Sequence, residues 1–491
     1  MKIFELGKKT MFAAIVGFLV GAIVLAIPLA VLEVNRKCDI ISKEAQNYNI
    51  VFTNATVPLN MASMDIWTSS DTTYFWYSRR DSFQDKARLA DKVKLVGNAG
   101  TKNMTGIPTD EIKTMAKKVA KLYKANKNNT FKLYINDYAI KVPMMVFYGN
   151  KIPESQFQVI ICEDGMHNGW NNMLTPSGDK TEQVIIDEFN ENVTKLATWI
   201  ENSKNGNQKW DRQSPLAYWP ETLAYMTYDN VEYWHQGRFG AGIPAGVRTE
   251  TVEKLNQKVV RLWANSTQLA NGDRGLSNEL IEKGGKNAVD SYKRTMFGNK
   301  LENLFKVQEG GKKPLIVTGT SYTGERLGFE GGDNGQFETV FNKVKQVYGD
   351  DYFFIYKGHP AWPTHEGWDG GVNWKSTVGV TKTDFDRRVQ YLNNSFDYQI
   401  DAQIPADMIM LFYADEYTLN FGGYDSSLFA AANGSNHNVL FFITGNEKNL
   451  PSAGTIYNAG GFNRIIDSIE YKPGFITPNT IGTFTGWEIV G

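Results

Sequence analysis

The chain has 491 residues, 42% of them hydrophobic, and 52 Lys plus Arg balance 53 Asp plus Glu to a formal net charge of −1. That length supports a large core in more than one domain, and the near-neutral balance without a long Lys/Arg block excludes an electrostatic case for nucleic acid. Cys38 and Cys162 lie far apart and the five histidines are scattered, which argues against a disulfide framework or a zinc-type ligand spacing.

A short tail, residues 1–10, leads into "MFAAIVGFLVGAIVLAIPLAVL", residues 11–32, an uncharged run of 22 residues. A helix of that length crosses a hydrocarbon core of about 30 Å, and the run is longer than the ~7–15 residue apolar core of a cleaved signal. It is expected to be an uncleaved, single-pass transmembrane helix. Lys2, Lys8 and Lys9 precede it and Arg36 and Lys37 follow, so the expected topology puts the tail inside and residues from about 40 onward outside the cytoplasm.

Strand-like runs then alternate with amphipathic helical ones. "YNIVFTNAT", "KVKLVGNAG", "TFKLYINDYAI" and "FQVIICEDG" are short, rich in β-branched or aromatic residues, and end in turn formers. "TDEIKTMAKKVAKLYKANKN" puts Ile112, Met115, Val119 and Leu122 on one helical face after a cap at Thr109 or Asp110, and its lysines read as a solvated face. "TEQVIIDEFNENVTKLATWIENSKN" and "TVEKLNQKVVRLWANSTQL" are expected helices of the same kind. The Gly-, Asn- and Lys-rich stretch between about 271 and 313 marks a domain boundary, so the first domain spans 40–305 and the second 306–491. Four further strands follow, "KPLIVTGT", "YFFIYKGHP", "EYTLNFGGY" and "NVLFFITG". The expectation is an α/β chain with a parallel sheet built twice, and a cleft between the carboxyl ends of the two sets of strands.

Polar clusters sit at those strand ends. Glu163-Asp164 closes an apolar strand, and a carboxylate beside a second acid suits a general base. In Lys357-Gly358-His359-Pro360 the proline keeps His359 out of a following helix, and the basic pair suits a phosphate. Ser426 and Ser427 follow Gly422 and Gly423 and open an apolar helical run, an arrangement that either caps the helix or binds an anion. "VTGTSYTGE", with Gly319, Thr320 and Tyr322, lacks the Gly-Lys-Ser/Thr ending of a P-loop. A metallohydrolase built on His359, His365 and Asp369 matches no ligand spacing.

In order and spacing, "EDG" at 163–165, "IVTGTSYTG" at 316–324, "YKGHP" at 356–360, "IPADMIM" at 404–410 and "GGYDSSLF" at 422–429 resemble the bacterial sialyltransferases of glycosyltransferase family eighty. The resemblance spans roughly residues 130–445. It implies two facing Rossmann-like domains of the GT-B type and inverting, metal-independent transfer of sialic acid from a CMP donor to a glycan or glycolipid acceptor. By the same resemblance Asp164 is the base, His359 meets the donor phosphate, Ser426 and Ser427 bind that phosphate, and Lys357 contacts the cytidine. Gly358, Pro360, Gly319, Thr320 and Tyr322 would line the donor site. Asp407 stands where the family has a glutamate for the cytosine amine. That departure, and the Asn- and Trp-rich insert "MHNGWNNMLTPSGD", leave open a non-catalytic glycan-binding module on the same fold, or a transferase using another nucleotide sugar.

Overall fold

The computed structural model describes residues 43–53, 56–77, 82–97, 109–137, 139–163, 181–208, 219–235, 246–247, 260–262, 273–298, 301, 304–305, 311–318, 341–342, 344–346, 348–358, 390–401, 403–417, 419–423, 439–442 and 474–476. The expected anchor at 11–32 lies outside them. Among the described residues no helix is long and apolar enough to cross a membrane.

The first sheet is built from β1 (Asn47–Thr53), β2 (Thr72–Tyr77), β3 (Lys94–Gly97), β4 (Thr130–Asn136), β5 (Phe157–Cys162) and β6 (Val231–Trp234), in the order β3-β2-β1-β4-β5-β6. Its helices are α1 (Thr56–Trp67), α2 (Lys86–Lys92), α3 (Thr109–Ala125), α4 (Lys141–Val146), α5 (Glu182–Lys204) and α6 (Trp219–Tyr225). Two short strands, β7 (Val260–Arg261) and β8 (Arg274–Gly275), pair with each other and precede α7 (Leu276–Phe297). The second sheet contains β9 (Lys313–Thr318), β10 (Tyr352–Lys357), β11 (Tyr398–Ile400), β12 (Asn420–Gly423), β13 (Val439–Phe442) and β14 (Gly474–Ile476), in the order β11-β10-β9-β12-β13-β14, with α8 (Ala406–Tyr417) between β11 and β12.

Every pairing is parallel, as the unbroken apolar runs require, since strands covered on both faces have no polar side to alternate. All six residues of β10 are buried. On α3 the periodic residues Ile112, Met115, Val119 and Leu122 are all buried. The expected helix "TVEKLNQKVVRLWANSTQL" is corrected at its centre: Val260 and Arg261 form β7, and the Val260 N–H donates to the His235 carbonyl at 2.9 Å. Tertiary pairing outweighs helical periodicity there, in a stretch rich in β-branched residues.

One face of the first sheet packs on α3, α4, α5 and α6. The other packs on α1 and α7 in a core that continues into the second sheet. Tyr292 of α7 joins the two halves. Its hydroxyl lies 2.8 Å from Ser63 Oγ of α1 and 3.9 Å from Met408 Sδ of α8, and its ring meets Trp67 edge-on. α7 bends at Gly285, where φ is +63°, a conformation glycine adopts without Cβ strain. At Gly284 a Cβ would come 2.8 Å from Thr68 Cγ2, so glycine also permits the close approach of α7 to the end of α1.

Candidate active site

In an open α/β sheet, ligands bind beyond the carboxyl ends of the strands where the strand order reverses. The second sheet reverses between β9 and β12. Thr318 at the end of β9 is in register with Lys357 of β10 on one side and Gly423 of β12 on the other. Neighbouring strands lie about 4.8 Å apart, so the strand ends Thr318, Lys357 and Gly423 lie side by side. The Thr318 hydroxyl donates to the Gly422 carbonyl at 3.3 Å and fixes this edge. Lys357 is 2% exposed, and its ammonium donates to the Gly358 carbonyl. A buried cation at a strand end is costly to desolvate, and here it points back over the departing chain. Asp407 is buried in the first turn of α8, where the helix macrodipole favours a carboxylate. Because α8 follows β11 in a parallel crossover, its first turn lies at the same carboxyl edge.

Of the expected site residues, the structure therefore brings Lys357, Gly358 and Asp407 to one edge. Asp164, His359, Pro360, Gly319, Thr320, Tyr322, Ser426 and Ser427 lie outside the described residues.

The first sheet reverses between β1 and β4. Asn136 is level with Cys162, and Cys162 with Trp234. Asp137, Glu163 and His235, the next residue along each strand, form an ionisable row across the carboxyl edge, each fully buried. The Glu163 N–H donates to the Trp234 carbonyl at 3.0 Å, and the Thr222 hydroxyl donates to the Asp137 carbonyl. Asp164 is the next residue after Glu163. Beside the reversal, Thr53 Oγ1 and both side-chain polar atoms of Asn60 are buried and find no hydrogen-bond partner among the described residues. Sequence reasoning found Glu163 but missed Asp137, His235, Thr53 and Asn60. For Asp137 the available signal was a polar residue directly following an apolar strand; Thr53, Asn60 and His235 gain meaning only from their burial.

Beneath this edge an ionic network ties the first sheet to α1 and α7. Asp65 of α1 accepts hydrogen bonds from Lys132 Nζ at 2.9 Å, Tyr134 Oη at 2.5 Å and Arg274 Nη2 at 2.8 Å. Arg274 also grips Glu279 at 2.6 and 2.8 Å and lies 4.7 Å from the Trp234 ring centre. Burial pushes the Asp65 carboxyl up, but Lys132, Arg274 and the hydrogen bonds more than offset it and hold the carboxyl below its usual range. Burial, with Asp65 and Asp137 nearby, pushes the Cys162 thiol well up. Cys162 is thus an inert core thiol rather than a nucleophile. Among the described residues no group of three or more His, Cys, Asp and Glu is placed to hold a metal ion.

No protein-family model matches the chain, and no curated protein matches it in sequence. Among solved structures, it is similar to an α/β-galactoside α-2,3-sialyltransferase from Photobacterium phosphoreum, with a TM-score of 0.51 and 13% identity over 88% of this chain and 99% of that one. A 2,6-sialyltransferase from a Photobacterium species, solved in a ternary complex with CMP and lactose, gives a TM-score of 0.54 and 12% identity over 86% and 76%. The sialyltransferase of Photobacterium damsela gives 0.52 and 12% over 88% and 82%. The two-sheet α/β architecture of this chain is therefore similar in fold to these bacterial sialyltransferases, at 12–13% sequence identity.

Proposed function

We propose that the chain is a glycosyltransferase that moves sialic acid from a CMP donor to a terminal sugar hydroxyl, with inversion and without a metal. The observation that carries the reading is the level row Lys357–Thr318–Gly423, three strand ends side by side at the reversal of the second sheet, each followed in sequence by one of the motifs. The similarity to the Photobacterium enzymes supports it at the level of fold.

In this reading the first domain, 40–305, holds the acceptor and the second, 306–491, holds the donor. Asp164 takes the proton from the acceptor hydroxyl as its oxygen attacks the anomeric carbon. The bond to the donor phosphate breaks, and charge builds as an oxocarbenium ion on the sugar and a phosphate on CMP. His359 donates a proton to that phosphate, and Ser426, Ser427 and the backbone N–H groups around Gly358 receive its oxygens. Lys357 and Asp407 hold the cytidine end, while Gly319, Thr320, Tyr322 and Pro360 shape the pocket. Residues 11–32 anchor the chain in a membrane.

Purified full-length protein incubated with CMP-sialic acid and lactose is expected to release CMP and form sialyl-lactose. Neither product from well-folded protein would overturn the reading. Glycan binding without turnover, unchanged by Asp164→Ala and His359→Ala, would select the non-catalytic module instead.

A further inference from the structure

The lysines of α3 read as an ordinary solvated face until their position relative to the chain's entry is known. Between residues 117 and 128 stand Lys117, Lys118, Lys121, Lys124 and Lys127 with no acidic residue. Lys117, Lys121, Lys124 and Lys127 are exposed, and Lys113, Lys117, Lys121 and Lys124 follow one another along one stripe at spacings of three and four. Lys113 pairs with Asp110 at 3.5 Å, but Lys117, Lys121 and Lys124 make no ion pair among the described residues. α5, on the same face of the sheet, is the reverse, with five acidic residues and two lysines.

The entry of the chain is pinned to this end of α3. Asn126 Nδ2 donates to the Lys43 carbonyl at 2.8 Å, the Gln46 N–H donates to Asn129 Oδ1 at 2.8 Å, and the Thr130 N–H donates to the Gln46 carbonyl at 3.1 Å. Only residues 33–42 separate residue 43 from the apolar run, and ten residues reach at most about 35 Å. Wherever the run enters a bilayer, the lysine end of α3 is held close to it. Glu44, Glu154, Glu201 and Asp229 also lie toward this edge, but among the described residues none of them pairs with Lys117, Lys121 or Lys124.

The geometry points to the C-terminal half of α3 as a docking surface for an anionic bilayer leaflet, the one from which residues 33–42 emerge toward the first domain. This rests on the anchor reading of residues 11–32. An anionic leaflet attracts basic side chains within about a Debye length of its surface, so the helix fixes the tilt of the first domain. α3 runs back against the parallel strands, so its lysine end lies at their amino edge. The candidate active site, at the carboxyl edge, stays open to solvent.

Amine acetylation of the full chain in nanodiscs, read by mass spectrometry, tests this. Lys117, Lys121 and Lys124 should label roughly threefold more slowly in discs containing phosphatidylglycerol than in pure phosphatidylcholine. High salt should abolish the difference, and Lys195, further from that edge on α5, should not change. Equal labelling in the two lipids, or protection that salt does not relieve, would overturn the surface. If the full chain stays out of the discs, the anchor reading fails; anionic vesicles added to it then read the surface directly, with salt-reversible protection upholding it and none overturning it. The Lys117→Glu/Lys121→Glu/Lys124→Glu variant should lose vesicle association, and retained association would also overturn it. An oligonucleotide that protects the same lysines while anionic discs do not would replace lipid by nucleic acid as the occupant.

Discussion

The two sheets share one topology but end in different chemistry. The carboxyl edge of the first presents buried ionisable side chains, Asp137, Glu163 and His235, above the Asp65 network. Among the described residues, the edge of the second presents backbone at Gly358 and Gly422 with buried Lys357, and buried Asp407 in the first turn of α8. In the proposed function, two copies of the same scaffold divide the work of group transfer. There the first edge takes the proton from a hydroxyl, and the second, with Lys357 at its strand end, receives a phosphate. Similarity of fold cannot make that distinction; the residues that follow each strand do.

The largest way to break the comparison is to remove the base. Asp164→Asn should lower kcat about 10²–10⁴-fold with little change in KM for the donor, measured by CMP release. A fall smaller than tenfold would move the base to another residue of the first edge, with Glu163→Gln as the next variant to assay.

Next in size is the support beneath that edge. Asp65→Asn leaves Lys132 and Arg274 without their shared carboxylate and should cost about 3–5 kcal/mol of stability at pH 7, by urea denaturation. The folded-state carboxyl is held below its unfolded value, so its contribution is full above the unfolded value near 4 and fades as pH falls through the folded one. The variant should therefore show a flatter loss of stability in acid. An unchanged acid limb would assign the network no linkage.

On the second edge, Lys357→Met should weaken CMP binding about tenfold or more, the scale of one hydrogen bond to a charged group, by calorimetry. Equal affinity would leave Lys357 as a strand-end residue only. The smallest effect should come from Asn60→Leu. Its buried amide has no partner among the described residues, so an apolar side chain of similar size should stabilise the ligand-free protein by about 1–2 kcal/mol. Destabilisation would mean that the amide is satisfied.

Much of this comparison was legible in the chain itself. Strands such as "FQVIIC" and "YFFIYK" announce themselves because parallel strands buried on both faces are unbroken apolar runs bounded by turn formers. "TTYFWY" and the four-residue "VEYW" are less plain because they lie among polar residues, so pairing with β1 and β5 rather than local pattern makes them strands. Lys357 and Gly358 were readable because a Lys-Gly-His-Pro string after an apolar run is unusual. Thr53, Asn60 and His235 were not, since a polar residue gains meaning only when burial removes its water. The lysines of α3 were plain in sequence, but their nearness to the chain's entry depends on hydrogen bonds spanning eighty residues.

The most direct test of the central claim, that the carboxyl edge of the second sheet receives a CMP donor, is a thermal-shift titration of the full chain with CMP, UDP and GDP. A ligand at 100 times its Kd adds about 2.7 kcal/mol to the stability of the folded state. The account predicts that Tm rises with CMP, that the rise shrinks in Lys357→Met, and that UDP and GDP do little. No shift with CMP, or an equal shift with UDP, would contradict it.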